Sequence, residues 1–125
     1  MKLFRPVGQK EYELIAQSGF TCFPPRLPEQ PIFYPVLNAQ YAAEIASQWN
    51  TKDSLFSGNV GYVLSFDIAD AYIAKFDVQT AGASYHQEYW IPADELSEFN
   101  QNILGAIEVV EKFEKRQNPN ENPRF

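Results

Sequence analysis

The sequence predicts an α+β domain: a mainly antiparallel, split sheet of about six or seven strands carrying three short helices. Three observations lead there. Short stretches with two-residue apolar alternation recur, clearest in Gly61-Tyr62-Val63-Leu64-Ser65-Phe66-Asp67-Ile68. One stretch, Ala39 to Asn50, carries a clear helical stripe, with Ala42, Ile45, Ala46 and Trp49 on one side. The strands are not separated regularly by long helices, which disfavours a doubly wound parallel sheet.

Taken in order, Leu3 to Val7 reads as a first strand, and Pro6 places it at an edge or marks its end. An Arg inside an apolar strand, here Arg5, needs an anionic partner if it is buried. Gly8 to Ser18 reads as a helix with Tyr12, Leu14 and Ile15 as its apolar stripe and Gly19 as its stop. Phe20 to Phe23 reads as a strand ended by Pro24-Pro25. The loop from Pro24 to Pro31 is stiffened by further prolines at 28 and 31, and serves as a rigid connector or as a ligand-contacting lid bearing Arg26. Ile32 to Leu37 is a strand, and Asn38 caps the helix that follows. After the polar loop Thr51–Asn59 and the strand over 61–68, Ala69 to Lys75 forms one or two helical turns, with Ala71, Tyr72 and Phe76 inward. Val78 to Thr80 is extended, Tyr85 to Pro92 is a strand, Pro92 opens a helix over 93–100, and Gly105 precedes a last strand from Ala106 to Phe113.

The chain has 125 residues and reads as one domain over 1–113, followed by a polar, disordered tail over 114–125 rich in Asn and Pro. Phe, Tyr and Trp number 10, 7 and 2, enough for a core of large rings. A formal net charge of -6 without a Lys/Arg cluster argues against nucleic acid as a partner. The lone Cys22 sits among apolar residues and reads as a small buried hydrophobe. One His and one distant Cys do not make a zinc site, so no metal is expected, and no Gly-rich phosphate cradle appears. No apolar run approaches the ~20 residues a membrane span needs. The N-terminus lacks a signal-peptide core, so the expected location is the cytoplasm.

The stretch richest in chemistry is Tyr85-His86-Gln87-Glu88-Tyr89-Trp90-Ile91-Pro92, which holds the only histidine. Strand alternation puts His86 and Glu88 on one face and Tyr89 and Ile91 on the other. Three places then line up in sequence: Arg5 on the first strand, Phe33-Tyr34-Pro35-Val36-Leu37-Asn38 leading into a helix, and His86-Gln87-Glu88 followed by apolar residues and Pro92. This order resembles the ADP-ribosyltransferase superfamily, and the chain from Leu3 to Phe113 also looks like small bacterial proteins often labelled "ADP-ribosylation/crystallin J1". The resemblance implies an ADP-ribosyltransferase-like fold using NAD as substrate and passing ADP-ribose to an unknown acceptor. It implies Glu88 as the catalytic carboxylate, Arg5 on the NAD phosphates or ribose, and Tyr34 by the nicotinamide ribose. Arg26 would add to a basic pocket, Tyr85 would stack on nicotinamide, and His86 would orient or deprotonate the acceptor.

The pattern departs from the family at two points. Pro35 and Val36 replace the polar part of the second motif, and His86 replaces the Glu or Gln that orients an arginine acceptor. Two other readings stand beside it. Arg5 and Glu88 form an ion pair that only holds the scaffold, or the fold is an inactive interaction module whose Tyr85, Tyr89 and Trp90 make a flat aromatic patch. A second copy of the chain is a further candidate partner.

Overall fold

The computed structural model describes residues 1–55 and 57–114. Its framework is β3 (Val60–Ile68), flanked by β1 (Lys2–Val7) on one side and β7 (Ile103–Glu114) on the other, both antiparallel. The alternation of β3 sets the two faces. Tyr62, Leu64, Phe66 and Ile68 join Leu3 and Val7 in the larger core, whereas Val63 packs with Ala42 and Ala46 on the other side. β3 is therefore covered on both faces, which explains why six consecutive residues, 61–66, are buried.

The smaller face is covered by α2 (Ala39–Gln48). Asn38 caps it as expected, its Oδ1 accepting from the Tyr41 N–H at 2.8 Å. The helix lies close because the contact residues are small: a Cβ on Gly61 would stand 2.3 Å from the Ala46 carbonyl oxygen. Trp49, expected on the same apolar side, is 71% exposed, because the chain leaves the helix there and turns through a 3-10 segment over Asn50–Lys52. The larger face is covered by α1 (Gln9–Gln17), α3 (Asp70–Ile73) and α4 (Leu96–Gln101) and by a cluster of rings. Phe23 meets Phe33 and Phe66 at 5.0 Å each, and Phe33 meets Phe99 at 5.3 Å. Tyr12 of α1 stacks on Tyr62 at 4.0 Å. Leu14 and Ala71 face outward instead of inward, and Cys22 is only half-buried.

The remaining strands are short. β2 (Ile32–Phe33) pairs with β6 (Ile91–Pro92), and β4 (Val78–Thr80) with β5 (Gln87–Tyr89). Among the described residues seven strands form, all paired antiparallel, so the α+β class and the antiparallel character match expectation; the strands fall into three ladders, β1-β3-β7, β2-β6 and β4-β5, and there are four α-helices in place of three. Four expected segments differ. Phe20–Phe23 is not a strand: Phe20 takes a left-handed φ of 59°, and the backbone of Phe23 pairs with the Asn100 side chain through two 2.9 Å bonds. Pro24 and Pro25, which lack N–H groups, could not continue a ladder. The strand expected over 32–37 is reduced to Ile32–Phe33, and that over 85–92 to Gln87–Tyr89 and Ile91–Pro92 with a break at Trp90. The helix expected over 93–100 begins with a 3-10 turn, Ala93–Glu95.

The last strand is longer than expected and contains Gly105, whose φ of +76° accompanies an irregularity between Ser65↔Glu108 and Asp67↔Leu104. Glu114, expected in the tail, closes this strand, and the rest of that tail lies outside the described residues. No described helix is long and apolar enough to cross a membrane.

Candidate functional site

The sheet forks beside Arg5, and two prolines account for the fork. Phe4 and Val36 exchange both backbone hydrogen bonds, at 2.9 and 2.8 Å. Continuing that antiparallel register would set Pro6 opposite Tyr34, and Pro6 has no N–H to give. The Tyr34 carbonyl instead accepts from Arg5 Nη1 at 3.3 Å. On the other side of this segment, Leu37 N–H donates to Gln87 and Tyr89 N–H to the Pro35 carbonyl. Residues 35–37 are thus slotted between β1 and β5, and the ladder stops where the prolines begin. Pro6 is buried within β1, not at its end, and its missing N–H faces the fork.

The fork opens a hollow of about 270 Å³ lined by Arg5, Tyr34, Val36, Tyr41, Ile45 and Glu88. Three predicted residues, Arg5, Tyr34 and Glu88, therefore border one concavity. Glu88 is 7% exposed and is held by two neutral donors: Tyr41 Oη to Oε1 at 2.6 Å and Trp90 Nε1 to Oε2 at 2.8 Å. Each oxygen keeps lone-pair capacity for another donor. Burial, and then the hydrogen bond to Glu88, push the Tyr41 phenol well above its ordinary range, so Tyr41 stays a donor. Trp90 is 48% exposed and stands edge-on to Tyr34, one of the lining residues, at 6.5 Å.

Arg5 does not pair with Glu88. Its Nε and Nη2 donate to the two carboxylate oxygens of Glu11, each at 3.0 Å, and the guanidinium lies 4.6 Å from the Phe33 ring centre. The scaffold ion pair is real, but its acid is Glu11 of α1. The flat aromatic patch does not form either: Tyr89 is buried in the core, and the Tyr85 hydroxyl is tied to Glu44.

His86 sits just before β5, on the Glu88 side as alternation requires. Its ring stacks on Tyr41 at 4.5 Å. The Ala83 N–H donates to Nδ1 at 3.1 Å, so Nε2 carries the proton and donates to Glu44 at 2.9 Å. Both ring nitrogens are thus engaged, and His86 ties the loop at Ala83 to Glu44 of α2 while its ring lies on Tyr41. Bonds from Tyr85 and His86 lower the Glu44 carboxyl below its usual range, and the Glu44 bond in turn raises the Tyr85 phenol.

Tyr85 and Arg26 do not border the Glu88 hollow. Arg26 lines a second, larger one of about 390 Å³, which also touches Arg5. The residues missed from sequence are Tyr41, Glu44 and Glu11. Tyr41 and Glu44 stand three and six positions after the Asn38 cap, on neighbouring turns of one helix face, and that spacing was their only signal. No group of three His, Cys, Asp or Glu among the described residues is placed to hold a metal.

The fold and site define an α+β protein with a buried carboxylate between aromatic donors at a fork in its sheet. The chain matches no family model, and neither a curated protein nor a solved structure is significantly similar to it.

Proposed function

We propose that this is an ADP-ribosyltransferase-like protein that uses NAD, with Glu88 as the catalytic carboxylate. The observation carrying this reading is the meeting of Arg5, Tyr34 and Glu88, from three distant parts of the chain, at one hollow. The chemistry follows from the side chains. Cleavage of the C1′–N bond sends its electron pair to nicotinamide and leaves positive charge on the ribose. A buried carboxylate stabilises that charge and accepts a hydrogen bond from a ribose hydroxyl. Tyr41 and Trp90 hold the carboxylate in place, and Tyr34, with Trp90 edge-on behind it, offers a ring face to the nicotinamide. Two guanidinium hydrogens of Arg5 are not used by Glu11 or Tyr34 and can meet phosphate oxygens. The acceptor's nucleophile then attacks C1′ and releases its proton to solvent.

Glu88→Gln is the test. The amide oxygen can still accept from Trp90, and its NH2 can donate to the freely rotating Tyr41 hydroxyl, so the fold is expected to survive. NAD binding by calorimetry should persist, while nicotinamide release should fall by about 10²–10³-fold. Undiminished NAD cleavage in this variant, or no NAD binding by folded wild type, would overturn the proposal.

A further inference from the structure

The larger hollow shares only Arg5 with the Glu88 hollow and has its own chemistry. Its volume of about 390 Å³ falls within the range of small-molecule sites. Three cations line it, Arg5, Lys10 and Arg26, against two carboxylates, Glu11 and Asp53. This is a cationic concavity in a chain whose formal net charge is -6. Both carboxylates are committed within the protein. Glu11 clamps Arg5, and Asp53 accepts from the Ser57 hydroxyl and from the N–H groups of Leu55 and Ser57.

Arg26 is the exception. It has no carboxylate at ion-pair distance among the described residues, and of its five N–H donors one hydrogen bond is made, from Nη2 to the Ile32 carbonyl at 3.1 Å. Its Nε is shielded from water with no partner, and a second lining residue, Asn50, holds a buried acceptor, Oδ1, also without one. Orphaned buried polar groups are costly, and native sites generally answer them with water, an ion or a ligand. Burial and the nearby positive charge of Arg5 both disfavour the charged form of Arg26. An incoming anion offsets both effects. Pro24, Pro25 and Leu27 add an apolar wall beside this cation.

We propose that this hollow binds a small organic oxyanion, a phosphomonoester or carboxylate on an apolar body. The oxyanion would sit on Arg26 and Lys10 and the body against Pro24, Pro25 and Leu27. The site does not rest on the NAD reading, since neither Glu88 nor Tyr34 lines it.

The test follows the arginine Nε–H resonances of the folded protein during titration with phenyl phosphate, benzoate, inorganic phosphate and phenol. Phenyl phosphate or benzoate should shift the Arg26 signal and the Lys10 and Leu27 amides, with phenyl phosphate binding about tenfold tighter than inorganic phosphate through the wall. Whichever organic anion binds more tightly identifies the class. Arg26→Gln should weaken binding by at least about tenfold. Exposed Lys10→Ala should weaken it several-fold and carries the test if the first variant does not fold. Glu88→Gln should leave it unchanged. No response to any anion up to about 20 mM, phenol acting as strongly as phenyl phosphate, or phosphate binding as well as its phenyl ester would each overturn the proposal.

Discussion

Removing Glu11 should expose how much of the fork depends on one ion pair. Arg5 and Glu11 side chains are 10% and 22% exposed, and they share two 3.0 Å bonds. Glu11→Leu deletes both bonds and leaves the guanidinium only the Tyr34 carbonyl and the Phe33 ring. Two charge-assisted bonds at roughly 1.5–3 kcal/mol each suggest a loss of about 3–6 kcal/mol, and unpairing a buried ion costs about 3–5 kcal/mol. Water can reach the Glu11 side, so the low end applies, about 3 kcal/mol. For a domain stable by about 10 kcal/mol, with a urea slope near 2 kcal/mol/M, the midpoint should fall by about 1.5 M. The double variant Arg5→Met/Glu11→Leu replaces the pair with apolar side chains over Phe33. It should return to within about 1 kcal/mol of wild type, giving a coupling of at least about 2 kcal/mol, larger by whatever Arg5→Met alone costs in leaving Glu11 without its cation. Urea unfolding of all four proteins, followed by circular dichroism, measures this cycle. If the double variant loses the sum of the singles, the pair is uncoupled and the reasoning fails.

Two further outcomes are expected. Gly61→Ala drives a Cβ to within 2.3 Å of the Ala46 carbonyl oxygen, so α2 must shift outward. The cost should be about 2 kcal/mol, or about 8 °C in Tm, and an unchanged Tm would show that α2 does not sit this close. Stability should also fall at both ends of the pH range. The phenols of Tyr41, Tyr72, Tyr85 and Tyr89 are all raised, chiefly by burial except for Tyr85, where the Glu44 bond leads. The folded state then keeps protons that the unfolded chain releases, so stability is whole below about pH 10 and declines above it. The part of the phenolate absorbance that is lost when these four are replaced by Phe should rise together with unfolding rather than before it. Glu44 is lowered by its Tyr85 and His86 bonds, so its contribution is present above about pH 4.5 and is lost as pH falls through the lowered value. Glu44→Gln should flatten that acid limb, and superimposable limbs would refute it.

Much of the framework was legible because single strands carried it. The alternation over 61–68, the Asn38 cap and the Gly19 stop act locally, and each appears where the residues imply. The failures are non-local. Phe20–Phe23 has strand composition, but its backbone partner is the Asn100 amide, 77 residues away. Leu14 and Trp49 fit a helical stripe, but the core does not extend to meet them. At the site, Arg5 in an apolar strand correctly signalled a buried ion pair, while nothing local distinguished Glu11 from Glu88 as its partner. Tyr41 and Glu44 carried only their shared helix face as a signal, because their meaning depends on which strand α2 crosses.

The hollow exists because the sheet is denied a hydrogen bond at one point. A continuous ladder between β1 and the 34–37 segment would close the fork, since side chains of paired strands leave no room for a ligand. Pro6 removes the donor, Pro35 cuts the strand opposite, and Arg5 satisfies the stranded carbonyl with its side chain. That substitution has a chemical consequence. A backbone N–H is replaced by a guanidinium, which brings positive charge to the fork, and Glu11 holds it there without using all its donors. Glu88 faces the same gap from β5, fixed by α2 through Tyr41 and by its own strand through Trp90. Arg5, which keeps the fork open, and Glu88, which faces it, both line the hollow, so the proposed NAD assay on variants of either is read together with a measurement of the fold.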